Sequence, residues 1–175
     1  MFAARGAGYG PRLPGAPRLW LHGSMPFRWS PRATQTLSAA ALSGLLLASA
    51  AKHFRDPGFY APVVPDFLCR DDSGSRRNGP LAVLSREEWV AASGLLEVGA
   101  AVGLLVPPAR RAAAACVTAM FTAFLAGHLD ALRKAFGPDG TPAQRRIHSL
   151  RLPLQAPLIA WAWSLGRPVP QRPRR

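Results

Sequence analysis

The sequence predicts an all-α fold, an integral membrane four-helix bundle with disordered basic termini. Three observations lead there. Apolar residues make up 49% of the chain and are gathered into four blocks. Arg-, Pro- and Gly-rich stretches separate those blocks. A bilayer core about 30 Å thick needs roughly 17–25 apolar residues per helix, and the blocks have about that length. The 175 residues leave room for one domain.

The net charge is +13, from 22 Lys and Arg against 9 Asp and Glu. Such a balance can serve a nucleic-acid partner. Here the basic residues lie between and outside the apolar blocks, as in membrane proteins that orient their loops by charge. No aromatic-interleaved basic groove or nucleic-acid motif occurs. The expected partner is the lipid bilayer, not nucleic acid.

Residues 1–32 carry five Arg and no acid, with many Gly and Pro, and read as a disordered cytoplasmic tail. An organelle transit peptide is the alternative reading, disfavoured because Pro and Gly oppose an amphipathic helix. Everything that carries a signal lies after Met25, an alternative start. The bilayer domain is read over 33–166, with a basic tail over 167–175.

The first span covers about 34–53. Ala40, Gly44 and Ala48 form a small-residue stripe, of the kind that lets membrane helices approach closely. Asp56-Pro57-Gly58 then signals a turn, and Pro62 and Pro65 prevent a regular helix. Phe59, Tyr60 and Phe67 suit a position along the membrane surface. Residues 69–80 read as a polar, flexible loop. Ser85 and Glu88 fit a capping box at the start of the next helix.

The second span, 89–106, carries one acid, Glu97, at its centre, and a G-x-x-x-G at Gly99 and Gly103. Pro107 to Arg111 form a short turn that sends the third span, 112–130, back beside the second. Residues 141–146 make a basic approach to the fourth span, 147–165. That span is the least regular, with Arg151, Pro153, Gln155 and Pro157 inside it. Pro157 predicts a kink, and Trp161 and Trp163 mark the far interface.

Four spans put both ends on one side. Lys and Arg divide equally between the two sides, with Arg151 counted in the second outer loop. The leading positive segment usually dominates, and the large loop balances its bases with acids while both tails have none. Both termini are therefore expected in the cytoplasm, with the protein in the cell membrane.

Depth arithmetic, at about 1.5 Å per residue, puts Glu97 about 12 Å below the outer face, level with Gln155. Lys52, His53, Glu97, His128, Arg151 and Gln155 then share the outer half of the bundle. An ionised acid facing lipid is costly, so Glu97 is expected to face inward, paired with Arg151 or hydrogen-bonded to Gln155, or to be protonated. Such a group could form a polar pocket for a small ligand, a quinone-type head group or protons. It could equally be a clamp between the second and fourth helices. His53 and His128 lack a recognisable metal-ligand spacing, so no metal is assigned. No phosphate-binding loop, dinucleotide fingerprint or nucleophile–His–acid set occurs. Whether the chain is an enzyme stays open.

Three fragments in order carry a resemblance: HFRDPGFYAPVVPDFL (53–68), SGLLEVGAAVGLLVPPARRAAA (93–114) and RLPLQAPLIAWAW (151–163). On four apolar blocks they resemble the DoxX-like family of small four-helix bacterial membrane proteins. The matching positions are His53, Phe54, Pro57, Phe59 and Pro65; Ser93, Gly94, Glu97, Pro107 and Arg110; and Arg151 through Gln155. The chain departs from that pattern at Leu125-Ala126-Gly127-His128, where relatives often carry Pro-Ala-Asn, and in an insertion over 69–80. The resemblance implies a redox-associated membrane subunit, with quinone as the candidate cofactor and a membrane or redox protein as partner. A non-enzymatic assembly factor and a small transporter or proton path are the alternatives.

Overall fold

The structure is a computed structural model and describes residues 30–74 and 79–168. It is all-helical among those residues, with four α-helices: α1 Pro31–Arg55, α2 Arg86–Leu105, α3 Arg110–Ala135 and α4 Pro142–Leu165. Three of them, α1 to α3, are long and apolar enough to cross a membrane. The expected disordered tails lie almost wholly outside the described residues, as does part of the 69–80 loop.

Each helix starts where local chemistry satisfies its first N–H groups. Ser30, assigned to the tail from sequence, is the N-cap of α1 and accepts from the Ala33 N–H at 3.1 Å. Ser85 and Glu88 form the expected capping box, with the Glu88 carboxylate accepting from the Ser85 N–H at 2.7 Å. A second box was missed in the sequence. Thr141 and Gln144 pair reciprocally, with Pro142 in the first turn, so α4 starts at Pro142 and not near Ile147. The expected basic approach is thus helix, and Arg145 donates back to the Ala135 carbonyl that ends α3. The assigned helix runs without a break through Pro153 and Pro157.

α1 packs along α2 and α3 along α4, α2 also packs on α3, and α1 touches α4 sparingly. The core is rich in alanine, with Ala39, Ala100, Ala101, Ala113, Ala114 and Ala162 around Leu42, Leu46, Leu104 and Phe121. Small side chains let helix backbones approach. A Cβ on Gly103 would stand 2.9 Å from that of Ala113, so this glycine sets the α2–α3 approach. Gly99 meets only open space. The Ala40-Gly44-Ala48 stripe also faces outward. The buried ridge of α1 is the adjacent one, Ala39, Leu42, Ser43, Leu46, Ala50 and His53, with the Ser43 hydroxyl donating to the Ala101 carbonyl of α2 at 2.9 Å.

The outer surface is apolar and several interior positions are polar. Leu95, Leu96, Val102 and Leu129 are exposed, while His53, Glu97, Arg110, His148 and Gln155 are buried. Arg110, read as a turn charge, turns inward and donates to the Leu104 carbonyl at 2.9 Å, capping the C-terminal end of α2.

Between α1 and α2 the chain makes three single 3-10 turns, Pro57–Phe59, Ala61–Val63 and Asp66–Leu68. Pro57, Pro62 and Pro65 remove the donors that a longer helix would need. This strap lies across the helix ends. Arg86 donates to the carbonyls of Ala61 (2.7 Å) and Val64 (2.6 Å) and to Asp66. Lys134 reaches the other Asp66 oxygen at 2.9 Å. Trp89 donates its indole N–H to the Leu68 carbonyl at 2.8 Å. The strap rests on α3 at Gly127, where any Cβ would overlap the Val63 carbonyl.

Gly127→Ala should therefore lift the strap and destabilise the chain by about 1–3 kcal/mol, the usual cost of overpacking. Thermal unfolding of the purified protein measures it.

A pH dependence follows from Asp66. The Lys134 hydrogen bond, then that of Arg86, holds its carboxyl below the usual carboxylate range, against the opposing effect of burial. A carboxyl lowered on folding stabilises above its unfolded pKa, and that contribution is lost as pH falls through the folded value. The unfolded value is near 3.8. Amide-exchange protection of residues 59–68, corrected for intrinsic rates, should hold down to about pH 5 and fall below about pH 4. Asp66→Asn should flatten the profile.

Candidate functional site

Beneath the strap lies a cavity of about 490 Å³. All four helices line it, and Tyr60, Val63 and Leu68 of the strap close one side. Its walls are mostly apolar, from Leu45, Leu46, Phe121, Phe124, Leu154 and Leu158. Five of the six residues singled out in the sequence line it: His53, Glu97, His128, Arg151 and Gln155. Lys52 does not, and pairs with Asp56 at 2.6 Å.

Glu97 projects from the middle of α2 and is only 3% exposed. Its partner is His53, whose Nε2 stands 3.5 Å from Glu97 Oε1. Arg151, expected on Glu97 from depth alone, instead lays its guanidinium 4.3 Å from the centre of the Phe59 ring. Lys52 approaches the same ring at 4.9 Å. Long cationic side chains reach the bundle end, where charge is hydrated, and leave the shorter imidazole for the acid.

His53 is fixed on every side. Its Nδ1–H donates to the Val90 carbonyl at 2.9 Å, and the Ser93 hydroxyl lies 3.2 Å from the same nitrogen. That bond turns Nε2 toward Glu97. Nε2 and Oε1 are thus the facing atoms of a buried His–Glu contact within an otherwise apolar surrounding. Tyr60 of the strap stacks on the imidazole at 3.7 Å, with its hydroxyl 3.0 Å from Ser49 Oγ. Gly94 makes the approach fit: a Cβ there would stand 3.0 Å from His53 Cβ and 3.1 Å from Phe54 Cζ.

On the opposite wall, the Gln155 Nε2–H donates to His128 Nε2 at 3.0 Å. The His128 proton then sits on Nδ1. Three atoms remain without a hydrogen-bond partner around one cavity: Glu97 Oε2, His128 Nδ1 and Gln155 Oε1. Buried polar atoms are nearly always bonded, so three unbonded ones on residues that line one cavity single out those residues as candidate contacts for a polar group. Glu97 Oε2 accepts and His128 Nδ1–H donates, so the fitting group both donates and accepts.

Sequence reasoning missed Tyr60, Ser49, Ser93 and Gly127 as parts of this site. Ser93-Gly94 was seen only as part of a resemblance. A glycine beside a histidine at 127–128, within an apolar helix, was the available signal that something packs closely there.

The His53–Glu97 contact can be tested on stability. His53→Ala leaves a buried carboxyl unpaired and should cost about 3–5 kcal/mol. His53→Ala with Glu97→Leu should cost less than His53→Ala alone. Denaturant unfolding of the wild type, His53→Ala, Glu97→Leu and the double variant measures the coupling.

No curated protein and no solved structure matches the chain. A family profile described as domain of unknown function (DUF8561) matches residues 42–166, from the middle of α1 to the end of α4. That match covers most of the chain and all the cavity-lining residues named above, so the protein belongs to the DUF8561 family.

Proposed function

We propose that this is an integral membrane protein, a four-span bundle in the cell membrane with both termini cytoplasmic. In its cavity it binds a small lipid-soluble molecule with a polar head of the quinone type. One observation carries the ligand reading: three unpartnered polar atoms around a single apolar cavity of about 490 Å³. That volume lies within the range of small-molecule sites, and the mix of apolar walls with a few convergent polar groups is typical of them. An exposed leucine surface over a partly polar interior supports the membrane reading.

The residues present fit a quinone-type head. A hydroxyl of the reduced form would donate to Glu97 Oε2, and a carbonyl of the oxidised form would accept from His128 Nδ1–H. Such a molecule supplies electron transfer when bound. The chain itself would orient the head through Gln155 and His128, beside the His53–Glu97 contact. The likeness of residues 53–68, 93–114 and 151–163 to DoxX-like proteins supports the same redox-associated role.

Two measurements test this. The chain should stay in the membrane pellet after alkaline carbonate extraction. In nanodiscs, a tailless benzoquinone head group should quench tryptophan fluorescence saturably, because Trp89 lines the cavity. Glu97→Gln should weaken the reduced head group about tenfold, the equivalent of about 1.4 kcal/mol. Release by carbonate, or quenching that never saturates, would refute the proposal.

A further inference from the structure

Resting on the cavity-ligand reading above, we infer that the cavity is reached sideways, through the seam between α1 and α4, and that the ligand's apolar tail lies in that seam. The strap is pinned across the other direction, with Phe59 its exposed cavity-lining residue. Arg86, Lys134 and Trp89 all hold it down, and Tyr60 is stacked on His53 beneath it.

The seam is joined at one end only. Gln35 donates to the carbonyls of Leu165 and Arg167 at 3.3 and 3.2 Å. Trp161 donates to Ser38 Oγ at 2.7 Å. Among the described residues these are the hydrogen bonds between α1 and the α4 end, and all lie away from the strap. They also set the register. The helices run antiparallel, with Gln35 opposite Leu165 and Ser38 opposite Trp161. Continuing that register sets Leu45 opposite Leu154.

Leu45 and Leu154 both line the cavity, yet they are 44% and 58% exposed. Of the exposed residues that line the cavity, these two lie opposite each other at the α1–α4 seam; the others are Phe59 of the strap and Ala123 and Ala126 of α3. Leu158 and Leu46 line the cavity further along the same two helices. The opening is thus framed by leucine on both sides, at the mid-height of α1. A water-soluble ligand gains nothing from an apolar frame that faces the bilayer. An alkyl or isoprenoid tail would bury its surface there and leave the head beside Glu97 and His128.

The test uses the full chain in nanodiscs, with Cys116→Ser removing the exposed thiol on α3. Leu154→Cys is added, modified with a benzyl thiosulfonate reagent, and then released with reductant. Two probes are titrated by tryptophan quenching: decylubiquinone and the same head group without a tail. Modification should weaken decylubiquinone at least tenfold at equilibrium, slow entry of the tailless probe without changing its affinity, and reverse on reduction. The same label at Leu96→Cys, on the exposed face of α2, should change neither. Unchanged decylubiquinone binding, or equal weakening of both probes, would overturn the seam route while the cavity reading stands. Absence of binding by either probe to the unmodified protein would overturn that reading and the seam with it. Reversal on reduction separates blockage from misfolding, since one folded sample gives both states.

Discussion

A carboxyl group buried in the middle of an apolar helix is the constraint on which this structure turns. Left alone, Glu97 would carry a desolvation cost of several kcal/mol. Its partner is the imidazole of His53, 3.5 Å away, which can be reached only if α1 and α2 close to contact. Gly94 permits the closure, since a side chain there would press on His53 and Phe54. The Val90 carbonyl then selects the ring nitrogen that faces the acid. Tyr60 covers the imidazole, which brings the strap down, and Arg86 and Lys134 pin the strap through Asp66. Each step is a local contact. Together they tie two helices and a loop to one acid.

The rest of the packing follows from polarity being partly inverted. In the proposed bilayer setting, outward leucines give little hydrophobic gain from assembling the helices, and close approach comes from small residues. That is why the core is built on alanine and why Gly103 matters at Ala113. α1 and α4 touch only sparingly, and a cavity walled by leucine and phenylalanine lies among the four helices. Its polar atoms come from three different helices, α2, α3 and α4. A ligand that bonds all of them would also bridge those helices.

Much of this was legible in the sequence, though unevenly. The apolar blocks gave the all-helical class, and the Ser85–Glu88 spacing gave the start of α2. Depth arithmetic placed Lys52, His53, Glu97, His128, Arg151 and Gln155 in the outer half of the bundle, with Glu97 and Gln155 level, because rise per residue is a property of any helix. It could not choose partners. Depth says nothing about rotation around the helix axis, and rotation decided that Glu97 meets His53 while Arg151 meets Phe59. The Ala40-Gly44-Ala48 stripe misled for the same reason: its period is right and its face is wrong. The strap was read as a surface segment. Its role above the cavity depends on Gly127 and Arg86, which lie far away in the chain.

The hydrogen bonds from Gln35 to the carbonyls of Leu165 and Arg167 have a topological consequence. They bring the start of α1 and the end of α4 together, so the described path is nearly a closed ring. Covalently joining the two ends and reopening the chain between residues 74 and 79 would preserve every helix pairing. The order of the helices would change to α2, α3, α4, α1, and the strap would follow α1 as a terminal arm. The circular order of the helices, more than their linear order, is what the fold requires.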